Sequence, residues 1–208
     1  VNSQTEKRLI SGPAGALECA IDLPVAAAGS VPRGLALVCH PNPTQGGTMD
    51  NKVVQTLARA FVQLGYRALR FNFRGIGQSE GAWDEGRGEI DDALAVLAAV
   101  REPGEPLVLA GFSFGGYIAS QAALRLADDR KAQRLVLVGP ATSRFDTAAV
   151  PADTLVIHGE VDDVVPLSAV LDWARPQSLP VVVVPGVGHF FHGQLPLLKS
   201  LVLRAFAA

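Results

Sequence analysis

Short, unbroken apolar runs separated by helix-period segments constrain this chain more than any other feature. Gly34-Leu35-Ala36-Leu37-Val38-Cys39, Arg67 to Phe73, Pro106-Leu107-Val108-Leu109-Ala110, Leu135 to Val138, Leu155-Val156-Ile157 and Val181 to Val184 each read as a strand buried on both faces. Between them, residues 49–64 place apolar side chains at Val53, Val54, Leu57, Ala58, Phe61 and Leu64, a helical period closed by Gly65. Residues 89–100 do the same with Ile90, Ala93, Leu94 and Leu97, and further helices are expected after Gly116, from Pro166, and over 194–206. Strands that alternate with helices and need cover on both faces specify an α/β architecture, a mostly parallel sheet with helices on both sides. Leu9-Ile10 and Ala16 to Leu23, joined by Gly12-Pro13-Ala14-Gly15, add an edge hairpin, both of its strands expected antiparallel to those that follow. That makes about eight strands in all. Val25 to Arg33, rich in Ala, Gly, Ser and Pro, reads as a loop.

A chain of 208 residues without internal repeats suits one domain over 1–208 with a sizeable core. Aromatic residues make up only 6% against 49% hydrophobic overall, so Val, Leu, Ala and Ile must build that core. A net charge of −2 with scattered arginines leaves no footprint for nucleic acid or an anionic membrane. No apolar stretch approaches the ~20 residues that span a bilayer. The polar start, Val1 to Arg8, lacks the apolar segment of a secretory signal, although the absence of an initial Met leaves a removed leader open. Cys19 and Cys39 form no disulfide-framework spacing and sit in expected strands as small buried thiols. A cytoplasmic location is the expectation.

The chemistry is concentrated past the ends of three strands. Gly111-Phe112-Ser113-Phe114-Gly115-Gly116 follows the run 106–110 and precedes the helix opening Tyr117-Ile118-Ala119-Ser120. In this G-x-S-x-G pattern the glycines remove β-carbons that would clash in a sharp strand-to-helix turn, and the serine at its apex is exposed to a base and a substrate. An activated serine needs that base and an acid to orient it. His158-Gly159-Glu160-Val161-Asp162-Asp163-Val164-Val165-Pro166 follows the strand at 155–157, and Pro185-Gly186-Val187-Gly188-His189 follows the strand at 181–184. The order Ser…Asp…His differs from that of chymotrypsin-like and subtilisin-like enzymes. The carboxyl ends of parallel strands are also where open sheets of this type bind ligands.

Over its whole length the chain resembles the α/β-hydrolase superfamily, and within it the small, lidless bacterial serine hydrolases or esterases. The resemblance is carried by residues 39–54, by Arg70-Phe71-Asn72-Phe73-Arg74-Gly75-Ile76-Gly77-Gln78-Ser79, by Gly111 to Gly116, by His158 to Pro166 and by Gly188 to His192. It departs from many relatives at Asn42, where they carry His or Leu. The resemblance implies an α/β-hydrolase fold and a serine hydrolase. Only residues 140–153 separate the strand ending at Gly139 from the one starting near Thr154, where many relatives insert a cap, so a shallow site without a lid is expected.

The implied nucleophile is Ser113. The resemblance to H-G-x-x-D-x-x-V-P places the orienting acid at Asp162, with Asp163 the competitor that would face solvent or cap the next helix. His189 is the expected base and His192 its alternative. Two backbone N–H groups should receive the developing oxyanion. One belongs to Phe114, the residue after the nucleophile; for the other, Pro41 and Pro43 have no N–H, leaving Asn42 as first choice and Thr44 as second. His40 and His158 read as structural, their rings bonded to loop backbone. A metal site built from His40, His158 and His189 with nearby acids lacks ligand spacing, so metal and cofactor are both expected to be none. Trp83, Phe112, Phe114, Phe190 and Phe191 are candidates for an acyl pocket or for core. Arg74 to Ser79 lacks the phosphate-loop pattern, and Glu89, Asp91 or Asp92 is expected to pair with Arg74. The expected partner is a small-molecule ester or acyl substrate, with thioesterase, small peptidase, acyltransferase and non-catalytic ligand-binding readings as alternatives.

Overall fold

The computed structural model describes residues 5–24 and 31–207. In chain order the strands are β1 (Thr5–Gly12), β2 (Gly15–Asp22), β3 (Leu35–Cys39), β4 (Arg67–Phe71), β5 (Leu107–Phe112), β6 (Arg134–Val138), β7 (Leu155–Gly159) and β8 (Val181–Val184). The helices are α1 (Lys52–Gln63), α2 (Arg87–Val100), α3 (Phe114–Arg125), α4 (Leu167–Ala174) and α5 (Leu195–Ala205). Most of the expected loop at 25–33 lies outside the described residues; Val31 to Arg33 form no regular element.

One sheet in the order β1-β2-β4-β3-β5-β6-β7-β8 runs through the molecule, and β3 to β8 are parallel. The hairpin differs from expectation in direction. β2 is antiparallel to β4, but β1 is antiparallel to β2, so β1 regains the direction of the parallel set and only β2 is reversed. The tight turn between paired Gly12 and Gly15 requires this, because a hairpin reverses the chain once and never twice.

A size alternation in the strands divides the core into two layers. Leu35, Leu37, Leu69, Leu107, Leu109, Leu135 and Leu137 face α2 and α3, packing on Ile90, Leu97, Phe114 and Ile118. The intervening Ala36, Val38, Ala68, Val108, Ala110, Val136 and Val138 face α1 and α5, where Phe61, Leu198, Val202 and Phe206 supply the bulk. Since strand side chains alternate with period 2, one register satisfies both faces and a one-residue slip would ruin both.

Helix starts also shift for local reasons. α1 begins at Lys52 rather than Met49, because the Asn51 side chain caps it by accepting from Val53 N (2.9 Å) while Met49 N donates to Asn72 Oδ1 (2.8 Å). α2 begins at Arg87, its Glu89 carboxylate accepting from the amides of Asp84 (2.9 Å) and Gly86 (2.8 Å). Of the acids proposed for Arg74, Asp92 is the partner, joined to it through both oxygens (2.7 and 2.9 Å), whereas Asp91 pairs with Arg125. This fixes the Arg74 loop beside the elbow helix as structure.

Candidate active site

Ser113 sits at φ 57°, ψ −119°, a backbone conformation that an L-residue adopts only under strain, on the order of 1–3 kcal/mol. The flanking glycines make the turn possible. A β-carbon on Gly111 would lie 2.0 Å from the Gly115 carbonyl oxygen, and one on Gly115 would lie 2.2 Å from the carbonyl oxygen of Cys39. The elbow thus presses backbone against backbone, β5 to α3 and α3 to β3, with no room for side chains. Three hydrogen bonds hold it: Ser113 N donates to Val138 O (2.9 Å), and the Ser113 carbonyl accepts from Gly116 N (2.9 Å) and Ala141 N (3.2 Å).

Asp162 and His189 meet directly. After β7 the chain turns through Asp162, whose Oδ1 accepts from the amides of Val164 (2.9 Å) and Val165 (2.8 Å), while Oδ2 lies 2.6 Å from His189 Nδ1. Burial pushes the Asp162 carboxyl up, but the hydrogen bonds from His189, Val165 and Val164 outweigh it and hold the group below its ordinary value. An ionised carboxylate accepts only, so Nδ1 carries the proton and the lone pair of the neutral ring is on Nε2. The ring is packed between Phe112 (centroids 4.8 Å) and Phe190 (5.1 Å). It leaves no slack at Gly139, where a β-carbon would come within 3.4 Å of it. His189 and Ser113 line one cleft, but no hydrogen bond joins them. Such contacts often tighten only once substrate is bound.

The loop after β3 is built around His40. Its ring is fully buried, with Nδ1 2.7 Å from the Pro41 carbonyl oxygen and Nε2 accepting from Phe73 N at 3.1 Å. Burial brings its pKa down to about 4, so the ring is neutral, with Nδ1–H donating to Pro41 O. That carbonyl belongs to the same trans peptide as the Asn42 N–H, and the two point in opposite directions. With the carbonyl drawn inward by His40, the Asn42 N–H faces outward, on the side where Asn42 lines the cleft. The Asn42 carbonyl is held too, by Gln45 N (3.1 Å) and Gly47 N (3.0 Å). Thr44, the second choice of donor, is used up: its amide donates to Asn42 Oδ1 at 2.9 Å. Neither the Asn42 N–H nor the Phe114 N–H, which starts α3, has a hydrogen-bond partner among the described residues.

His158 is the third buried histidine. Its Nε2–H donates to Val165 O (3.0 Å) and lies 3.6 Å from Asp162 Oδ2, while Nδ1 has no partner. Burial lowers its pKa despite the opposing pull of the Asp162 charge. Both His40 and His158 therefore bond loop backbone, as expected. Among the described residues no three His, Cys, Asp or Glu side chains converge into a metal-binding group. His192 is exposed and stacks on Phe190, away from Asp162. Asp163 is also exposed; it makes no cap for α4 and instead lines the cleft.

The cleft, about 290 Å³, is bounded by Pro41, Asn42, Ser113, Arg144, His189 and Phe190, among others. Of the five aromatics considered for an acyl pocket, Phe190 alone lines it. Phe112, Phe114 and Phe191 are fully buried core, and Trp83 packs on Phe114, because the elbow's neighbours alternate into the two core layers. Residues 140–153 form a short connection without helix or strand, so nothing covers the cleft there. Arg144 and Asp163 carried no signal by spacing. Only the brevity of 140–153 and the doubled acid at 162–163 drew attention to those segments.

This arrangement agrees with what the chain is similar to. Residues 31–147 match the family described as serine aminopeptidase, S33, and the chain belongs to that family within the α/β-hydrolase superfamily. An α/β serine hydrolase without a lid from Xanthomonas campestris is 40% identical, covering 99% of this chain and 94% of that one with a TM-score of 0.88. An α/β serine hydrolase homologue from Coxiella burnetii is also 40% identical, covering 100% and 99% with a TM-score of 0.84. An uncharacterised protein of Rickettsia prowazekii is 32% identical over 76% of this chain and 71% of its own length.

Proposed function

We propose that this hydrolase cleaves carboxylic esters through an acyl-enzyme on Ser113. The reading rests above all on the buried Asp162–His189 pair, 2.6 Å apart, which engages Nδ1 and leaves Nε2 without a hydrogen-bond partner on a ring that lines the same cleft as Ser113. His189 Nε2 takes the Ser113 hydroxyl proton as Oγ attacks the ester carbon; Asp162 holds the ring and stabilises the imidazolium. The carbonyl oxygen becomes an oxyanion received by the N–H groups of Phe114 and Asn42, where one donor is worth about 10²–10³ in rate. His189 then protonates the departing alkoxide. A water, deprotonated by His189, attacks the acyl carbon, and collapse of the second tetrahedral intermediate returns the proton to Ser113 and releases the acid.

The reaction needs no cofactor, and its partner is a small-molecule substrate. Among the described residues no helix is long and apolar enough to cross a membrane. A cytoplasmic setting is supported by the two buried free thiols. Purified protein should release p-nitrophenol from p-nitrophenyl butyrate with an initial burst, and Ser113→Ala should abolish it while the fold persists. Equal turnover by that variant overturns the proposal. The family's description as a serine aminopeptidase favours a second reading, a small peptidase using the same residues. Faster cleavage of amino-acid p-nitroanilides than of esters would select it. Failure of Ser113 to react with a fluorophosphonate would point to a non-catalytic ligand-binding role.

A further inference from the structure

The guanidinium of Arg144 is free in a molecule that engages nearly all its others. Apart from Arg144 and Arg130, every arginine among the described residues has its guanidinium on a carboxylate, a side-chain amide, a backbone carbonyl or an aromatic ring. Arg144 is exposed and lines the cleft shared by Ser113, Asn42 and His189.

Its backbone is fixed relative to the nucleophile. Ala141 N donates to the Ser113 carbonyl (3.2 Å), and the Ala141 carbonyl accepts from the amides of Arg144 and Phe145 (both 3.1 Å). Phe145 then stacks on Tyr117 (centroids 5.1 Å) and packs on Phe114 (4.9 Å). Further along, Ala148 N donates to Ser120 Oγ at 3.1 Å. Arg144 thus projects from a turn riveted to the elbow and its helix, a preorganised position for reading substrate.

The rest of the cleft is small, about 290 Å³, and of mixed polarity. Asn42, Gln45 and Asn51 line it, with Pro41, Val164 and Phe190 as its larger apolar walls. The charged side chains that line it are Arg144 and Asp163, the Asp162 carboxylate being buried behind His189. Asp163 forms no ion pair with Arg144, so the positive fork stays open for a ligand.

We propose that Arg144 binds an anionic group of the substrate, making short esters that carry a carboxylate or phosphate the preferred class. This rests on the esterase reading above. The planar guanidinium matches either anion with two parallel hydrogen bonds, and charge-assisted bonds of that kind are stronger than neutral ones. The test compares p-nitrophenyl hemisuccinate with p-nitrophenyl butyrate. In the parent protein the ratio of kcat/KM should favour the hemisuccinate; Arg144→Gln should lower that ratio about tenfold or more, Arg144→Lys should retain part of it, and Asp163→Asn should raise it. Competitive inhibition by free succinate or by inorganic phosphate, each weakened in Arg144→Gln, tells carboxylate from phosphate. An equal ratio in the parent and Arg144→Gln overturns the inference while leaving the esterase reading intact. If neither ester is turned over, the esterase reading fails, and calorimetry decides the inference. Succinate binding to Ser113→Ala that is lost on adding Arg144→Gln supports it, and equal affinity overturns it.

Discussion

The loops after β3 and β8 each hold a histidine that is almost wholly removed from solvent, His40 at 0% and His189 at 3% exposure, yet the two rings are in opposite chemical states. His40 uses both nitrogens on backbone, donating to Pro41 O and accepting from Phe73 N, so it has nothing left to offer. His189 uses one nitrogen on a carboxylate and keeps the other unbonded on a cleft. Burial alone therefore says little about whether a histidine is available for chemistry. The decisive question is which nitrogen remains unpaired, and on what it opens. His158 completes the series: its unpaired Nδ1 is itself buried.

Replacing His189 by Gln should give the largest effect, a fall in kcat of about 10³-fold or more, with Asp162→Asn close behind as the ring loses its tautomer. Activity within tenfold of the parent in His189→Gln would erase the distinction between the two loops. His40→Gln should be intermediate. If His40 orients the Asn42 N–H, kcat falls about 10–100-fold with a smaller change in KM, and affinity for a boronate transition-state analogue falls in step with kcat. A drop in Tm with kcat and boronate affinity both preserved would show His40 to be packing only.

Stability against pH gives the next contrast. The folded pKa of His40, about 4, lies below its unfolded value of 6.5, and that of His158 is lowered as well. The unfolded chain thus binds more protons between about pH 6.5 and 4, and stability must decline as pH falls through that window. Asp162, held below 3.8, adds stability that is lost only at lower pH. A Tm profile that is flat from pH 6.5 to 4, or one with an unchanged slope in His40→Gln, contradicts this account. The smallest effect belongs to Asp163→Asn, a change in neutral-ester kcat of a few fold, against the collapse expected for Asp162→Asn one residue away. Comparable losses in both variants would mean that the two acids share the role.

Much of this was readable in the chain. Leu35-Ala36-Leu37-Val38 and Leu107-Val108-Leu109-Ala110 announce strands by unbroken apolarity, and Gly111 and Gly115 announce the elbow by the side chains they lack. The direction of β1 is not set locally: it follows from its antiparallel pairing with β2 and from the pairing of β2 with β4. Phe112 and Phe114 were candidates for the pocket because proximity in sequence to Ser113 does not reveal which core layer a ring enters.

Residue type and local spacing determined the strands, the glycine-flanked serine and the placing of Asp162 and His189 just past strand ends, since each depends on neighbours within a turn or two. Long-range packing alone decided that Asp162 rather than Asp163 meets His189, that Thr44 is consumed by Asn42, and that Arg144 lines the Ser113 cleft unpaired. Those outcomes depend on where loops from different strands converge at one end of the sheet. Loop backbone takes its path from hydrogen bonds to distant segments, such as Ala141 to Ser113 or His40 to Phe73, which no periodicity encodes.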